Sequence, residues 1–149
     1  MIKITLPTDV DTMRSLKIGD SVSISGVMVM GRDEVHKHLF NKYDKKAAKI
    51  LNGSFIYHCG PIIKSVRDKY EMICCGPTTS AREEPYQADI VERYGLRGVI
   101  GKGGMGGSTL SALEKNGAVY LQAPGGAAAP SSFPLDSATH PLSRVCKEY

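Results

Sequence analysis

Residues 70–104 read YEMICCGPTTSAREEPYQADIVERYGLRGVIGKGG. Residues 70–75 form an apolar run of strand length, closed by Gly76-Pro77. From about residue 80 to residue 94 the spacing turns helical, with Ser80 as the expected N-cap and Glu83 three residues on. Gly95 ends that helix, residues 96–100 form another apolar strand, and a glycine-rich turn follows over 101–107. Strand, turn, helix and strand in that order predict an α/β domain.

The flanking sequence continues the alternation. Residues 2–6 read as a strand, and residues 21–30 (SVSISGVMVM) are β-rich, alternating at first and then continuously apolar. A helix is expected from 33 to about 51, because Val35, Leu39, Phe40, Tyr43, Ala47 and Ile50 recur at spacings of three and four. Its lysines read as a solvated face rather than a nucleic-acid surface. Residues 54–58 are a strand closed by Gly60-Pro61; residues 109–115 are a short helix; residues 118–122 are a last strand before Pro124-Gly125-Gly126. The expected fold is thus α/β, a largely buried central sheet flanked by helices, with residues 1–129 as one domain. Residues 130–149, rich in proline and serine and without periodicity, read as a loosely packed tail.

The chain has 149 residues and a net charge of +4, which suits an anionic ligand but is too weak to argue for nucleic acid. No run approaches the ~20 apolar residues of a membrane span. The start, MIKITLPTD, lacks the apolar stretch of a signal peptide, so the expected compartment is the reducing cytoplasm, where disulfides are rare. Cys59, Cys74, Cys75 and Cys146 include no CxxC pair. Adjacent strand residues point to opposite faces, so Cys74 and Cys75 chelate poorly. No metal site made by this chain is expected. The four histidines, His36, His38, His58 and His140, show no ligand spacing and read as satisfied polar residues.

The chemical signal is a recurrence of polar or glycine-rich turns after apolar strands: Gly31-Arg32-Asp33, Gly60-Pro61, GPTTSAR from Gly76, GKGG from Gly101, and Gly125-Gly126-Ala127. Ligands of open α/β sheets sit beyond the carboxyl ends of strands, so such turns converge on one pocket. Thr78, Thr79 and Ser80 offer three hydroxyls at an expected helix start, where free N–H groups and the dipole favour an anion. Arg82 can pair with a carboxylate or phosphate, and Lys102 supplies a point charge. GKGGMGG is not a Walker A loop, since Gly103 follows the lysine. Gly101, Gly103 and Gly106 match the dinucleotide spacing, but no acidic residue follows at the expected distance.

Taken together, SGVMVMGRDEVHKHL, FIYHCGPII, CGPTTSAR, GVIGKGGM and AVYLQAPGGAAA resemble, in order, the C-terminal (β) region of class I fumarases and L-tartrate dehydratases, the iron–sulfur-dependent hydro-lyases. The resemblance covers roughly residues 15–129 and implies a swivelling β/β/α domain. It implies a reaction that adds water to, or removes it from, a C4 dicarboxylate such as fumarate or malate. It implies a [4Fe–4S] cluster, ligated by three cysteines of a partner α subunit and acting as a Lewis acid, in a hetero-oligomer. By the same resemblance Thr78 is the catalytic base, Arg32 is a carboxylate clamp, and Thr79, Arg82 and Lys102 bind substrate. Arg32, Arg82 and Lys102 would stabilise the charge that develops on C–H abstraction. The family continues past GGAAA to a final core strand, whereas this chain runs into Pro130-Ser131-Ser132, so the tail is expected to replace that strand.

Overall fold

The computed structural model describes residues 1–66 and 69–123. In chain order the elements are β1 (Ile2–Thr5), α1 (Val10–Arg14), β2 (Val22–Ser25), β3 (Val29–Gly31), α2 (Asp33–Asn41), α3 (Lys45–Leu51), β4 (Phe55–His58), β5 (Ile62–Val66) and β6 (Lys69–Cys74). A 3-10 turn (Ser80–Glu83), α4 (Glu84–Tyr94), β7 (Gly98–Gly101), α5 (Gly107–Asn116) and β8 (Val119–Gln122) complete them. The expected tail, and the turn from Pro124, lie outside the described residues.

The central sheet is parallel, in the order β3-β4-β7-β8. All four residues of β4, one of its two inner strands, are buried, which is why Phe55, Ile56 and Tyr57 run apolar without alternation. Its side chains divide by parity. Ile56 joins Val29, Leu39, Leu51, Ile90, Val91, Leu96 and Val99 under helices α2 to α5. Phe55 faces the other way, into Ile4 of β1, Leu6 just after it and Met13 of α1. The parallel pair β1-β2 and α1 thus cover one face of the sheet, and α2 to α5 cover the other. This layering is the expected mixed α/β arrangement.

Three boundaries differ from the sequence expectation. The β-rich run 21–30 is two strands in two sheets, broken at Gly26. There φ is +117° and an added Cβ would lie 2.6 Å from the Leu6 carbonyl oxygen. The helix expected over 33–51 is two helices. Asp44 accepts from Lys46 N–H at 2.8 Å and Ala47 N–H at 3.1 Å, capping α3. The end of α2 is tied by α4: the single proton of Tyr94 Oη faces the Leu39 and Lys42 carbonyl oxygens, each 3.1 Å away, and Arg93 donates to Phe40 O at 2.6 Å. The strand expected over 70–75 is β6, which stands outside the central sheet, in an antiparallel hairpin with β5. That hairpin leaves Ile62, Ile63 and Ile73 exposed.

Candidate active site

β3, β4 and β7 end together, as the registers Gly31↔His58 and Tyr57↔Ile100 require. The turns that follow them, from Arg32, Cys59 and Lys102, therefore leave one edge of the sheet. Beyond the last β4–β7 pair a gap opens, and the segment after β6 fills it. Cys59 pairs with Pro77 as an antiparallel bridge, and Thr79 pairs with Lys102 as a parallel one. Thr78 N–H donates to His58 O at 2.8 Å, Lys102 N–H to Thr78 O at 3.3 Å, and Ser80 N–H to Lys102 O at 2.9 Å. GPTTS is thus a short inserted strand, and Thr78, Thr79 and Lys102 are brought together by main-chain bonds. Gly101 must lack a side chain here, since a Cβ would collide with Ser80 Oγ.

Arg32 sits at the N-cap of α2 with no capping bond from its side chain, and its stem lies over the Gly60 turn. It is exposed, as are Thr79 and Arg82; Thr78 and Lys102 are half-buried. Among the described residues, Arg32, Arg82 and Lys102 make no ion pair. Arg82 shares the 3-10 turn with the site but has no hydrogen bond joining it to the other four. The edge therefore presents uncompensated cations beside two threonine hydroxyls, an arrangement that attracts a small anion.

Two sequence expectations change. Ser80 does not cap a helix: its Oγ lies 3.0 Å from Tyr120 Oη, and Glu83 is buried instead of reaching back. The N–H groups of Thr78 and Ser80 are already bonded to carbonyls, so those two are not free to hold an anion. The glycine-rich turn also carries its own anion. Glu84 accepts from Gly106 N–H at 2.7 Å, Thr109 N–H at 3.2 Å and Thr109 Oγ1 at 2.7 Å, capping α5. A nucleotide phosphate would have to displace that carboxylate, which disfavours the dinucleotide reading of GKGGMGG.

Beneath the edge lies a polar cluster that the sequence reading missed. His36, His58, Glu83 and Gln87 are all fully buried. One terminal atom of the Gln87 amide stands 3.0 Å from His36 Nε2 and 2.8 Å from His58 Nε2. His36 Nδ1 lies 3.0 Å from Arg32 O and 3.5 Å from a Glu83 oxygen. Burial, reinforced by the neighbouring His36 ring, pushes His58 down to about 4. Burial also lowers His36, against the opposing pull of its bond to Arg32 O. Burial, with Asp33 adding to it, pushes Glu83 up to about 7, against the pull of Arg32, Arg82 and Lys37. The sequence held one usable signal. Glu83 and Gln87 extend the buried stripe of Ile90, Val91 and Tyr94 at helical spacing, so both belong to the inward face.

Cys59 and Cys75 are buried with their Sγ atoms 3.0 Å apart, and Cys75 also approaches Met30 Sδ. Among the described residues no group of three His, Cys, Asp or Glu side chains could hold a metal. A shallow groove by Tyr43, Lys49, Asn52 and Arg93 lies at the opposite edge, where the strands begin.

The family described as Fumarase C-terminus matches residues 1–136. This chain belongs to that family. Among relatives of this fumarase-type chain, a Geobacillus stearothermophilus protein provisionally named fumarate hydratase class I is 50% identical over 129 residues. The match covers 86% of this chain and 24% of that protein. The L(+)-tartrate dehydratase subunit beta of Escherichia coli K12 is 35% identical over 125 residues, covering 84% of this chain and 62% of that subunit. The chain thus spans about a quarter and about three fifths of these two relatives, both named for hydro-lyases. Among the described residues, no helix is long and apolar enough to cross a membrane.

Proposed function

We propose that this chain is the β part of a cytoplasmic iron–sulfur hydro-lyase that reversibly hydrates fumarate to L-malate, and that it belongs to the swivelling β/β/α domains. The observation that carries this reading is the inserted GPTT strand. It sets Thr78 and Thr79 against Lys102 at the sheet edge that also carries Arg32. In this reading Arg32 and Arg82 clamp the substrate carboxylates, Lys102 neutralises charge that grows on them, Thr79 orients the substrate, and Thr78 moves the proton at its Oγ1. A threonine hydroxyl is a weak base, so it needs the cationic edge to favour its alkoxide. Among the described residues the cysteines do not fit a cluster: Cys59 and Cys75 face one another inside the core. The [4Fe–4S] cluster is therefore assigned to an α partner, a role supported by relatives named as β subunits.

A second reading, L-tartrate dehydratase, is supported by the names of several relatives. Both substrates present two carboxylates to the same cations. The test is anaerobic reconstitution with a cluster-bearing α partner, followed by assay with fumarate and with L-tartrate. Turnover of fumarate supports the first reading, and turnover of tartrate alone supports the second. Turnover of neither, by a folded complex, leaves an anion-binding or subunit-interaction domain. In the active complex Arg82→Ala should lower kcat/KM by roughly 30-fold or more, the loss of a desolvated charge pair of about 2–5 kcal/mol. Unchanged efficiency would remove Arg82 from the site.

A further inference from the structure

The buried cluster under the sheet edge has one arrangement of protons that meets the contacts of Gln87 and Arg32 O and keeps both rings neutral. The Arg32 carbonyl only accepts, so His36 Nδ1, 3.0 Å away, must donate. With the amide oxygen of Gln87 between the rings, His36 would have to donate from Nε2 as well and so carry a charge at a fully buried position. With the NH2 there instead, both of its hydrogens are used, one to each Nε2, and both rings are neutral. That orientation leaves the Gln87 carbonyl oxygen and the His58 Nδ1–H unpartnered, where the opposite one leaves the NH2 and a bare His58 Nδ1 unpartnered.

We propose that Gln87 is a positioning residue of this site: its NH2 donates to Nε2 of His36 and of His58, and so holds the chain ends that carry Arg32 and Thr78 in one register. The connection is made by bonds already described. His36 grips the Arg32 carbonyl, and the His58 carbonyl accepts the Thr78 N–H at 2.8 Å. α4 supplies Gln87, α2 supplies His36 and β4 supplies His58, so one amide joins three elements. The titratable and charged groups facing the cluster are Arg32, Asp33 and Lys37 from the start of α2, and Arg82 and Glu83 from the 3-10 turn. Burial disfavours charge on His36 and His58 alike, in keeping with two neutral rings. The functional half of the proposal rests on the hydro-lyase reading; the protonation half does not.

Two measurements separate them. Imidazole nitrogen NMR on the full chain reads the tautomers without any turnover. Nδ1–H on both His36 and His58 at neutral pH is expected. Nε2–H on either ring, or a doubly protonated His36, overturns the assignment. The second measurement uses Gln87→Glu in the active complex. A carboxylate only accepts, so both rings must now donate from Nε2, and His36 can hold the Arg32 carbonyl only when charged. KM for the dicarboxylate should then rise by roughly five- to tenfold as pH increases and His36 loses its proton, the equivalent of one hydrogen bond. The wild type should lack this rise, and Gln87→Leu should show a raised KM without the added pH dependence. A Gln87→Glu profile superimposable on the wild type would overturn the positioning role. NMR still decides the tautomers if that variant does not fold.

Discussion

Replacing Glu84 with glutamine isolates one carboxylate that holds the lysine-bearing turn. Glu84 accepts three bonds, from Gly106 N–H and Thr109 Oγ1 at 2.7 Å each and from Thr109 N–H at 3.2 Å. A glutamine keeps one acceptor oxygen and sets an NH2 against at least one donor. Hydrogen bonds to a charged group contribute roughly 1.5–3 kcal/mol, and a charge at a helix terminus roughly 0.3–1 kcal/mol. Glu84 is only half-buried and the variant retains part of the network, so solvent screening puts the loss near 2 kcal/mol. That corresponds to about 4–8 °C in Tm for a chain of this size. Burial raises the Glu84 pKa, but the bonds from Thr109, Gly106 and Ser108 outweigh it and hold the folded carboxyl below its ordinary 4.5. A depressed acid pKa stabilises fully above the unfolded value, and that contribution is lost as pH falls through the folded one. Urea titrations should therefore show a gap of about 2 kcal/mol between wild type and Glu84→Gln at neutral pH, narrowing in acid below about 4.5. A gap that is the same at both pH values, or under about 0.5 kcal/mol throughout, would refute the assignment of this carboxylate as the cap of α5.

Three further outcomes are expected. Thr78→Ala should lower kcat more than it raises KM, because a proton-transfer group acts in the transition state, whereas Thr79→Ala should act mainly on KM; equal small effects would return both to a structural role. Glu83 has a raised pKa, so its contribution is complete below its unfolded value of 4.5 and is lost as pH rises to about 7; Glu83→Gln should flatten that decline in urea titrations, and an unchanged slope would rule it out. Gly101→Ala should destabilise by about 1–3 kcal/mol and disturb the GPTT strand, because the new Cβ meets Ser80 Oγ; wild-type stability and activity would contradict the packing at that edge.

Local chemistry in the chain was enough for the alternation of strands and helices. The apolar run of Phe55, Ile56 and Tyr57, the Gly95 helix stop and the strand-length segment before GKGG each depend on neighbours in sequence, and all reappear in the parallel sheet and its helices. Five ordered motifs were also enough for the family, which matches residues 1–136. The breaks were another matter. Asp44, the cap of α3, was the one local signal of the break after Asn41; the groups tying the end of α2 are Arg93 and Tyr94, some fifty residues away. Strand propensity could not separate β6 from the central sheet, since a hairpin strand and a core strand share the same apolar run.

The sequence named Thr78, Thr79, Arg32, Arg82 and Lys102 through glycine-flanked motifs, and motifs of that kind mark turns after strands. It could not say that the threonines reach Lys102 by forming a short strand in the gap between β4 and β7, because those bonds join segments far apart in the chain. The cluster of His36, His58, Glu83 and Gln87 was less legible still. Polar residues scattered along a sequence look solvated one at a time, and only the packing of α2, the 3-10 turn and α4 against β4 removes all four from water and brings His36 and His58 within hydrogen-bond reach of Gln87.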